Sequence, residues 1–473
     1  MSPHELVLHH YEFPFDLYPF QIEDVNANAP RTRSGLYNEP GLGKTVEATF
    51  CALYKLILGD CEVVLGIMPP LLITQWSRWL KKVKRKNGTS LRISEYEGTP
   101  KEREKVSFKA DFVLMGIQIF KKDYERVCSE FDGRSVHVFL DEGHSIKDVS
   151  SGNYHTYRDF IQNRSHQIVT GTPLNKPEDG YAYINLIAPG VYRNLLHFET
   201  CHIVERDIFK RVSRYGNLDL LAENLLLNSV RRTKEQVLID LPECTVADIE
   251  YKLHPQHHKL YTQLANDHLL QLPEGQKIDA TQASALYHAL GQIVCQWHYF
   301  SHDSRKKSQI YYMIEEILEQ LGTKKLIVFS NYQRTNEEIV RLFKCPGVWG
   351  EIPQQQKLLN IAEFLDNDKC RLIAMNPIAA GQGVDGCQHV CQDVLYTEPP
   401  VTPSHLTQSL SRVHREGQRQ AVTVRLGVAL GTLQRSIVTK LTAKEALIAP
   451  IQGSYAYLTK DEMRTILFGG ELP

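Results

Sequence analysis

The sequence predicts an α/β protein in which two parallel-sheet lobes flank a helical region. Three observations carry that expectation. Short β-rich apolar runs alternate with helical patterns through the first third of the chain; Leu-rich helical patterns dominate from about Lys176 to Arg305; and a second series of apolar runs opens at Lys325. Compact apolar runs bounded by turn or charged residues suit strands buried on both faces, and their alternation with helices suits crossover units.

In chain order, Val63–Met68, Phe112–Gly116 and Val136–Leu140 are the expected strands of the first lobe, with helices over Thr45–Leu58 and Leu72–Lys86 between them. Further helices are expected over Leu218–Val230 and His257–Leu270. Second-lobe strands are expected at Lys325–Ser330, Arg371–Met375, Val394–Tyr396 and Val422–Leu426. The resulting division is a nucleotide-binding lobe over 1–175, a helical insertion and linker over 176–304, a second lobe over 305–445 and a tail over 446–473. A chain of 473 residues is long enough for two or three such units.

With 42% apolar and 23% charged residues, wholesale disorder is excluded. A net charge of −1 supplies no global basic field, which argues against a histone-like coat but leaves room for a local nucleic-acid groove. The ten cysteines include no CxxC pair, so free thiols in a reducing cytoplasm are expected rather than a structural metal site. The opening MSPHELVLHHYEFPF has neither a basic start nor an apolar core, and the longest apolar stretch, Val63 to Ile73, contains Pro69 and Pro70. A signal peptide and a membrane span are therefore not expected.

Asn38-Glu39-Pro40-Gly41-Leu42-Gly43-Lys44-Thr45 follows a strand end and opens a helix. Small residues there let backbone N–H groups wrap phosphates at a helix N-terminus. Lys44 is placed to contact the β and γ phosphates, and the Thr45 hydroxyl to ligate Mg²⁺. The pattern's first Gly is replaced by Asn38, a residue that tolerates the left-handed conformation. Asp141-Glu142-Gly143-His144 stands directly after the run VHVFL. A carboxylate at such a strand end suits a Mg²⁺-associated Asp141, with Glu142 polarising the attacking water. An acidic turn alone is commonplace; the two motifs together predict a nucleotide hydrolase.

These residues resemble the SWI/SNF-like branch of superfamily 2 helicases. Asn38–Thr45 is similar to that family's DEMGLGKT loop and Asp141–His144 to its DEAH/DEGH box; Leu17-Tyr18-Pro19-Phe20-Gln21 resembles LxPYQ, and Val169–Leu174 resembles LTGTPL. Arg231-Arg232-Thr233-Lys234 with Leu241-Pro242 is similar to the LRRTK…LP block. Ala379–Asp385 stands where the family has AGGxGxN, with Asp385 departing from Asn, and Gln408–Gln418 resembles QAxGRxHRxGQ.

The resemblance implies two RecA-like lobes with a SWI/SNF-type insertion, using ATP and Mg²⁺. It implies that Gln21 reads adenine and that Asn38, Gly41, Leu42, Gly43, Lys44, Thr45, Gly383, Asp385 and Gln408 line the nucleotide. It also implies coupling to nucleic acid through His144, Thr170 and Thr172; backbone amides and hydroxyls near Thr170 and Gln118 are the candidate contacts to the track. Arg412 and Arg415, three apart on an expected helix, share a face and could act as arginine fingers on the γ-phosphate. An isolated RxxR is more often a solvated basic helix; the surrounding motif favours the catalytic role.

Lys81-Lys82-Val83-Lys84-Arg85-Lys86 could hold phosphate or could be a solvated helix end, while Trp76 and Trp79, at i and i+3, are expected in the core. The expected function is ATP-driven remodelling of branched DNA, including branch migration and fork processing. The alternative is a duplex translocase that displaces or recycles bound proteins without strand separation. The expected partners are branched or duplex DNA and replication or recombination proteins, with no membrane. A compact cytoplasmic monomer is expected, in host cytoplasm or nucleoid if the chain is viral.

Overall fold

The computed structural model describes residues 1–439 except 175, 208–209, 211, 268, 272–276, 280–282, 302, 304, 381–385 and 401–408. The chain divides into two compact units, the first over Met1–Ile239 and the second opening at Asp240.

The first unit is built on a seven-stranded sheet. Its strands are β1 (Arg33–Leu36), β2 (Val63–Met68), β3 (Ile93–Tyr96), β4 (Phe112–Gly116), β5 (Val136–Asp141), β6 (Ser165–Val169) and β7 (Ser229–Val230). Their spatial order is β7-β1-β6-β5-β2-β4-β3, and every pairing is parallel. β2, β4 and β5 are buried along their whole length, as expected of a parallel sheet covered on both faces. Helices α1 (Pro19–Asn28), α2 (Lys44–Leu58) and α3 (Pro70–Leu80) supply part of that cover: Val25, Phe50, Leu53, Ile73 and Trp76 share a cluster with Val64, Leu114 and Phe139.

The second unit carries a six-stranded, all-parallel sheet. Its strands are β8 (Cys244–Lys252), β9 (Leu326–Phe329), β10 (Gly347–Val348), β11 (Leu372–Met375), β12 (Asp393–Tyr396) and β13 (Val422–Leu430), in the order β8-β13-β12-β9-β11-β10. Along β9, Leu326 and Val328 enter one core cluster while Ile327 and Phe329 enter another. That period of two is the strand geometry itself, and it gives the sheet an apolar layer on each face.

The expected strands therefore appear, with β13 running on to Leu430, but three expected helices end early. The one over Leu72–Lys86 stops at Leu80, because the basic run cannot extend the apolar stripe. Lys84 and Arg85 instead pair antiparallel with Glu12 and Tyr11, and the chain turns at Asn87–Gly88, where Gly88 takes φ 81°. Arg85 is ion-paired to Asp111 at 2.7 Å, whereas Lys82, Lys84 and Lys86 are exposed. The helix over Leu218–Val230 stops at Leu225; Asn228 turns left-handed (φ 57°) and the chain enters β7. The third ends at Asp267, and Leu269–Gln271 pairs with Lys277–Asp279.

The region 176–304, expected to be helical, thus contributes an edge strand to each sheet, β7 and β8. Local Leu-rich periodicity gave way to pairing with strands far away in sequence. Expectations for Gly383, Asp385, Gln408 and the tail fall outside the described residues. Among the described residues, none of the ten cysteines is joined in a disulfide. Among the described residues no helix is long and apolar enough to cross a membrane, and no group of three or more His, Cys, Asp or Glu side chains could hold a metal ion.

Gly66 tests how tightly the first sheet is packed. A Cβ there would lie 2.5 Å from Phe139 Cζ and 2.8 Å from Leu114 Cδ2. Gly66→Ala is expected to lower stability by about 1–3 kcal/mol through overpacking, read as a reduced urea midpoint with an unchanged slope.

Candidate nucleotide site

Because the strands are parallel, their carboxyl ends share one edge, where α/β sheets bind ligands. β1 leads into the phosphate loop, β5 ends at Asp141 and β6 leads into Thr170. The loop closes with left-handed turns at Gly41 (φ 95°) and Gly43 (φ 84°), both easy for glycine. Gly43 also leaves room for Gln21, whose Nε2 would lie 2.3 Å from a Cβ there. Nε2 donates to Leu42 O at 2.9 Å, and Oε1 accepts from Tyr18 N at 3.0 Å. Gln21 therefore fastens the loop to the start of α1.

Asn38 does not take the left-handed conformation expected for it. It is fully buried, and its Nδ2 donates to Asp24 Oδ2 (2.8 Å) and to Glu47 Oε2 (3.0 Å). Burial, with Asp24 close by, pushes Glu47 well above the usual carboxylate range. Burial also raises Asp24, against the pull of Asn38 and Arg232. Asn38 thus separates two buried carboxylates beneath the loop, a task a glycine could not perform.

Lys44 opens α2, and its Nζ donates to Asn38 O (2.7 Å) and Glu39 O (3.2 Å). Burial lowers its pKa, opposed by Glu142, Asp141 and Glu47. Thr45, next on α2, is partly buried, and its carbonyl accepts from Thr49 Oγ1 at 2.7 Å. Asp141 Oδ1 accepts from Glu142 N at 2.9 Å, and Oδ2 accepts from Trp76 Nε1 at 2.7 Å. Burial and then the neighbouring Glu142 raise Asp141 to about 6. Glu142 itself has φ 54°, a strained conformation for a residue with a Cβ, and its Oε2 meets His144 Nδ1 at 3.1 Å.

Thr170 and Thr172 are buried, with Thr172 N donating to Thr170 Oγ1 at 3.3 Å. Between them Gly171 lies against the phosphate loop: a Cβ there would be 2.7 Å from the Pro40 ring and 3.1 Å from Lys44 Nζ. Gln118 is exposed on the helix Ile117–Lys122. The fold of the first unit therefore gathers Gln21, Asn38, Lys44, Thr45, Asp141, Glu142, His144 and the Thr170–Thr172 turn along one edge.

In the second unit, Arg412 and Arg415 do not lie on the expected regular helix. Residues 411–417 form successive turns, with Arg412 N bonded to Ser409 O and His414 N to Leu410 O. Gln418 pins them, donating to Cys391 O (3.0 Å) and Val413 O (3.3 Å), while Gly417 adopts φ 87°. His414 Nε2 lies 2.8 Å from Pro242 O, tying the arginine segment to the Leu241-Pro242 pair.

These residues fit a nucleotide triphosphate with Mg²⁺. Two loop carbonyls hold Lys44 where a phosphate would draw it. The Asp141 and Glu142 carboxylates are oxygen donors of the kind Mg²⁺ takes, and Asp141 keeps lone pairs beyond its two hydrogen bonds. Bound Mg²⁺ would neutralise charge developing on the phosphates.

Three participants are not legible as site residues in the sequence. Trp76 is core, as expected, yet its N–H also orients Asp141; a buried indole's need for a hydrogen-bond partner was the available signal. Asp24 and Glu47 carried no signal short of the folded contact.

A SNF2-related domain model matches residues 25–298, and a helicase conserved C-terminal domain model matches residues 308–417. An uncharacterized ATP-dependent helicase of Mycoplasma pneumoniae is 23% identical over 431 residues, 88% of this chain and 40% of that protein. The DNA annealing helicase and endonuclease ZRANB3 of Mus musculus is 25% identical over 475 residues, 95% of this chain and 41% of that one. The Sulfolobus solfataricus SWI2/SNF2 ATPase core in complex with dsDNA is 19% identical, covering 96% of this chain and 98% of its own, with a TM-score of 0.44.

A two-sheet α/β chain with these motifs is a helicase-type ATPase of superfamily 2. More closely, the chain belongs to the SNF2-related family, the SWI/SNF-like branch. It spans 40% and 41% of the length of the two curated relatives.

Two outcomes are expected. Asn38→Gly leaves Asp24 and Glu47 without their shared donor and is expected to cost about 1–3 kcal/mol, measured by urea unfolding. The raised Asp141 makes the folded state bind the extra proton. Its contribution to stability is therefore full below the ordinary carboxylate value and is lost as pH rises through about 6. Without metal or nucleotide, unfolding measured from pH 4 to 8 should show this slope flattened in Asp141→Asn by about 1–3 kcal/mol.

Proposed function

We propose that the protein couples ATP and Mg²⁺ at the first unit's phosphate loop to translocation on DNA, and that branched DNA is its working substrate. The observation that carries the ATPase half is the convergence of Lys44, Asp141 and Glu142 at one sheet edge, with Asp141 oriented from both oxygens. Lys44 exchanges its loop carbonyls for phosphate oxygens, Asp141 with Thr45 holds the metal ion, and Glu142 polarises the attacking water. Gln21 reads the adenine, and Arg412 and Arg415 supply positive charge to the terminal phosphate during turnover.

His144 shares a carboxylate with the water-polarising role, since it lies against Glu142. A change on the DNA side that moved His144 would alter Glu142 directly, which gives coupling a physical carrier. Contacts to DNA phosphates rather than bases make translocation independent of sequence. Support for branched substrates comes from the match over 95% of this chain to a protein named as a DNA annealing helicase.

Turnover and product formation on single-stranded, duplex, forked and four-way DNA test this reading. DNA-stimulated ATP hydrolysis is expected, with forks and four-way junctions resolved into new products. Hydrolysis with linear duplex that leaves junctions intact, yet displaces a bound protein block, would assign the alternative duplex translocase. Lys44→Ala is expected to abolish hydrolysis while keeping the wild-type circular dichroism spectrum; unchanged turnover would remove the phosphate-loop assignment.

A further inference from the structure

Arg231 follows β7 directly, on the segment that runs beside the start of the phosphate loop. Its backbone is fixed on either side: Tyr37 N donates to Val230 O at 2.9 Å, and Glu39 N donates to Arg232 O at 3.0 Å. The guanidinium is used by halves. Nη1 donates to Tyr37 O at 2.8 Å, while Nη2 is buried and has no hydrogen-bond partner.

The surroundings do not account for that second amino group. Glu39 is the acidic residue that favours the guanidinium's charge, but its Oε2 is occupied by Lys234 N at 2.9 Å. The neighbouring Arg232 is fully engaged in comparison, paired with Glu23 and Asp24 at 2.9 and 3.0 Å. Meanwhile Lys44 Nζ rests on the next two carbonyls along the loop, those of Asn38 and Glu39, and Arg231 is among the groups that depress its pKa. Two desolvated cations therefore stand on three consecutive loop carbonyls, repelling each other. A buried charged donor without an acceptor is costly, and an anion lying against both cations removes both penalties at once.

We infer that Arg231 is a phosphate-binding residue, whose Nη2 group joins Lys44 in gripping the phosphate chain of the nucleotide at the loop. This rests on the reading that the loop binds ATP. Arginine suits the position because its planar fork can keep one amino group on Tyr37 O and place the other on a phosphate oxygen; lysine carries its three donors on one nitrogen, which cannot occupy both amino positions of that fork. The cation comes from the same unit as the loop, so it acts in ground-state binding and does not wait for Arg412 or Arg415.

The test is equilibrium binding of mant-ATP with Mg²⁺ to the full chain, as wild type, Arg231→Lys and Arg231→Gln, alongside thermal melting without nucleotide. Loss of one charge-assisted contact predicts mant-ATP binding weakened roughly tenfold or more in both variants, with Arg231→Lys melting as wild type does. Wild-type affinity in Arg231→Lys, with binding and melting temperature falling together in Arg231→Gln, would make Arg231 a brace for Tyr37 O and overturn the inference. A crystal structure of the wild type with nucleotide gives a second check, since Nη2 must lie within hydrogen-bond distance of a phosphate oxygen. Absence of mant-ATP binding by the wild type would instead sink the phosphate-loop reading beneath it.

Discussion

Parallel registration of the first sheet is the constraint on which the candidate site depends. Leu36 is aligned with Val169, Val169 with Asp141 and Val230 with Leu36. Those pairings bring the phosphate loop, the Asp141-Glu142 pair, the Thr170–Thr172 turn and the Arg231 segment level with one another at the carboxyl edge. A slip of one residue in β5 would send Asp141 to the opposite face and substitute Leu140 for it. Close packing across these strands resists such a slip: Gly66 faces Phe139 and Leu114 so tightly that any residue with a Cβ brought to its place would clash.

On that frame sits a group of charges that the protein leaves imperfectly satisfied. Lys44 rests on carbonyls that a phosphate would outbid, and Asp141 is raised by burial and by Glu142. Glu142 is held left-handed and half of the Arg231 guanidinium is unused. A polyanion carrying a divalent cation would relieve Lys44, Asp141 and Arg231 together. The loop's underside is the opposite case: Asn38 links Asp24 to Glu47, and Arg232 ties Asp24 to the segment after β7. Rigid support beneath and unmet charge above are what a preorganised binding site needs.

Much of this was legible in the sequence, for reasons that differ by element. VVLGIM, FVLMG and VHVFL are apolar throughout, and only a strand buried on both faces uses such a run. The phosphate loop and Asp141-Glu142 were legible because they combine a local pattern with a predicted strand just before them. Helix ends were poorly legible: Leu226 and Leu227 look like a continuing helix, but Asn228 turns the chain so that Ser229-Val230 can pair with β1, nearly two hundred residues earlier. The role of Asn38 is not legible locally, because the loop pattern describes backbone freedom, while its side chain bonds Asp24 and Glu47. Arg412 and Arg415 looked helical from their spacing; the turns that hold them depend on Gln418 reaching Cys391, a contact without local signature.

The late arrival of β7 carries a consequence for dissection of the molecule. A fragment that ended near residue 175, where helical texture begins in the sequence, would lack the strand that pairs with β1. Its sheet would then present the backbone of Arg33–Leu36 as a bare hydrogen-bonding margin, open to stacking with another molecule. A fragment ending at Ile239 would retain that border and the buttress on the phosphate loop with it. The border of this sheet is thus set by a two-residue strand rather than by the texture of the sequence around it.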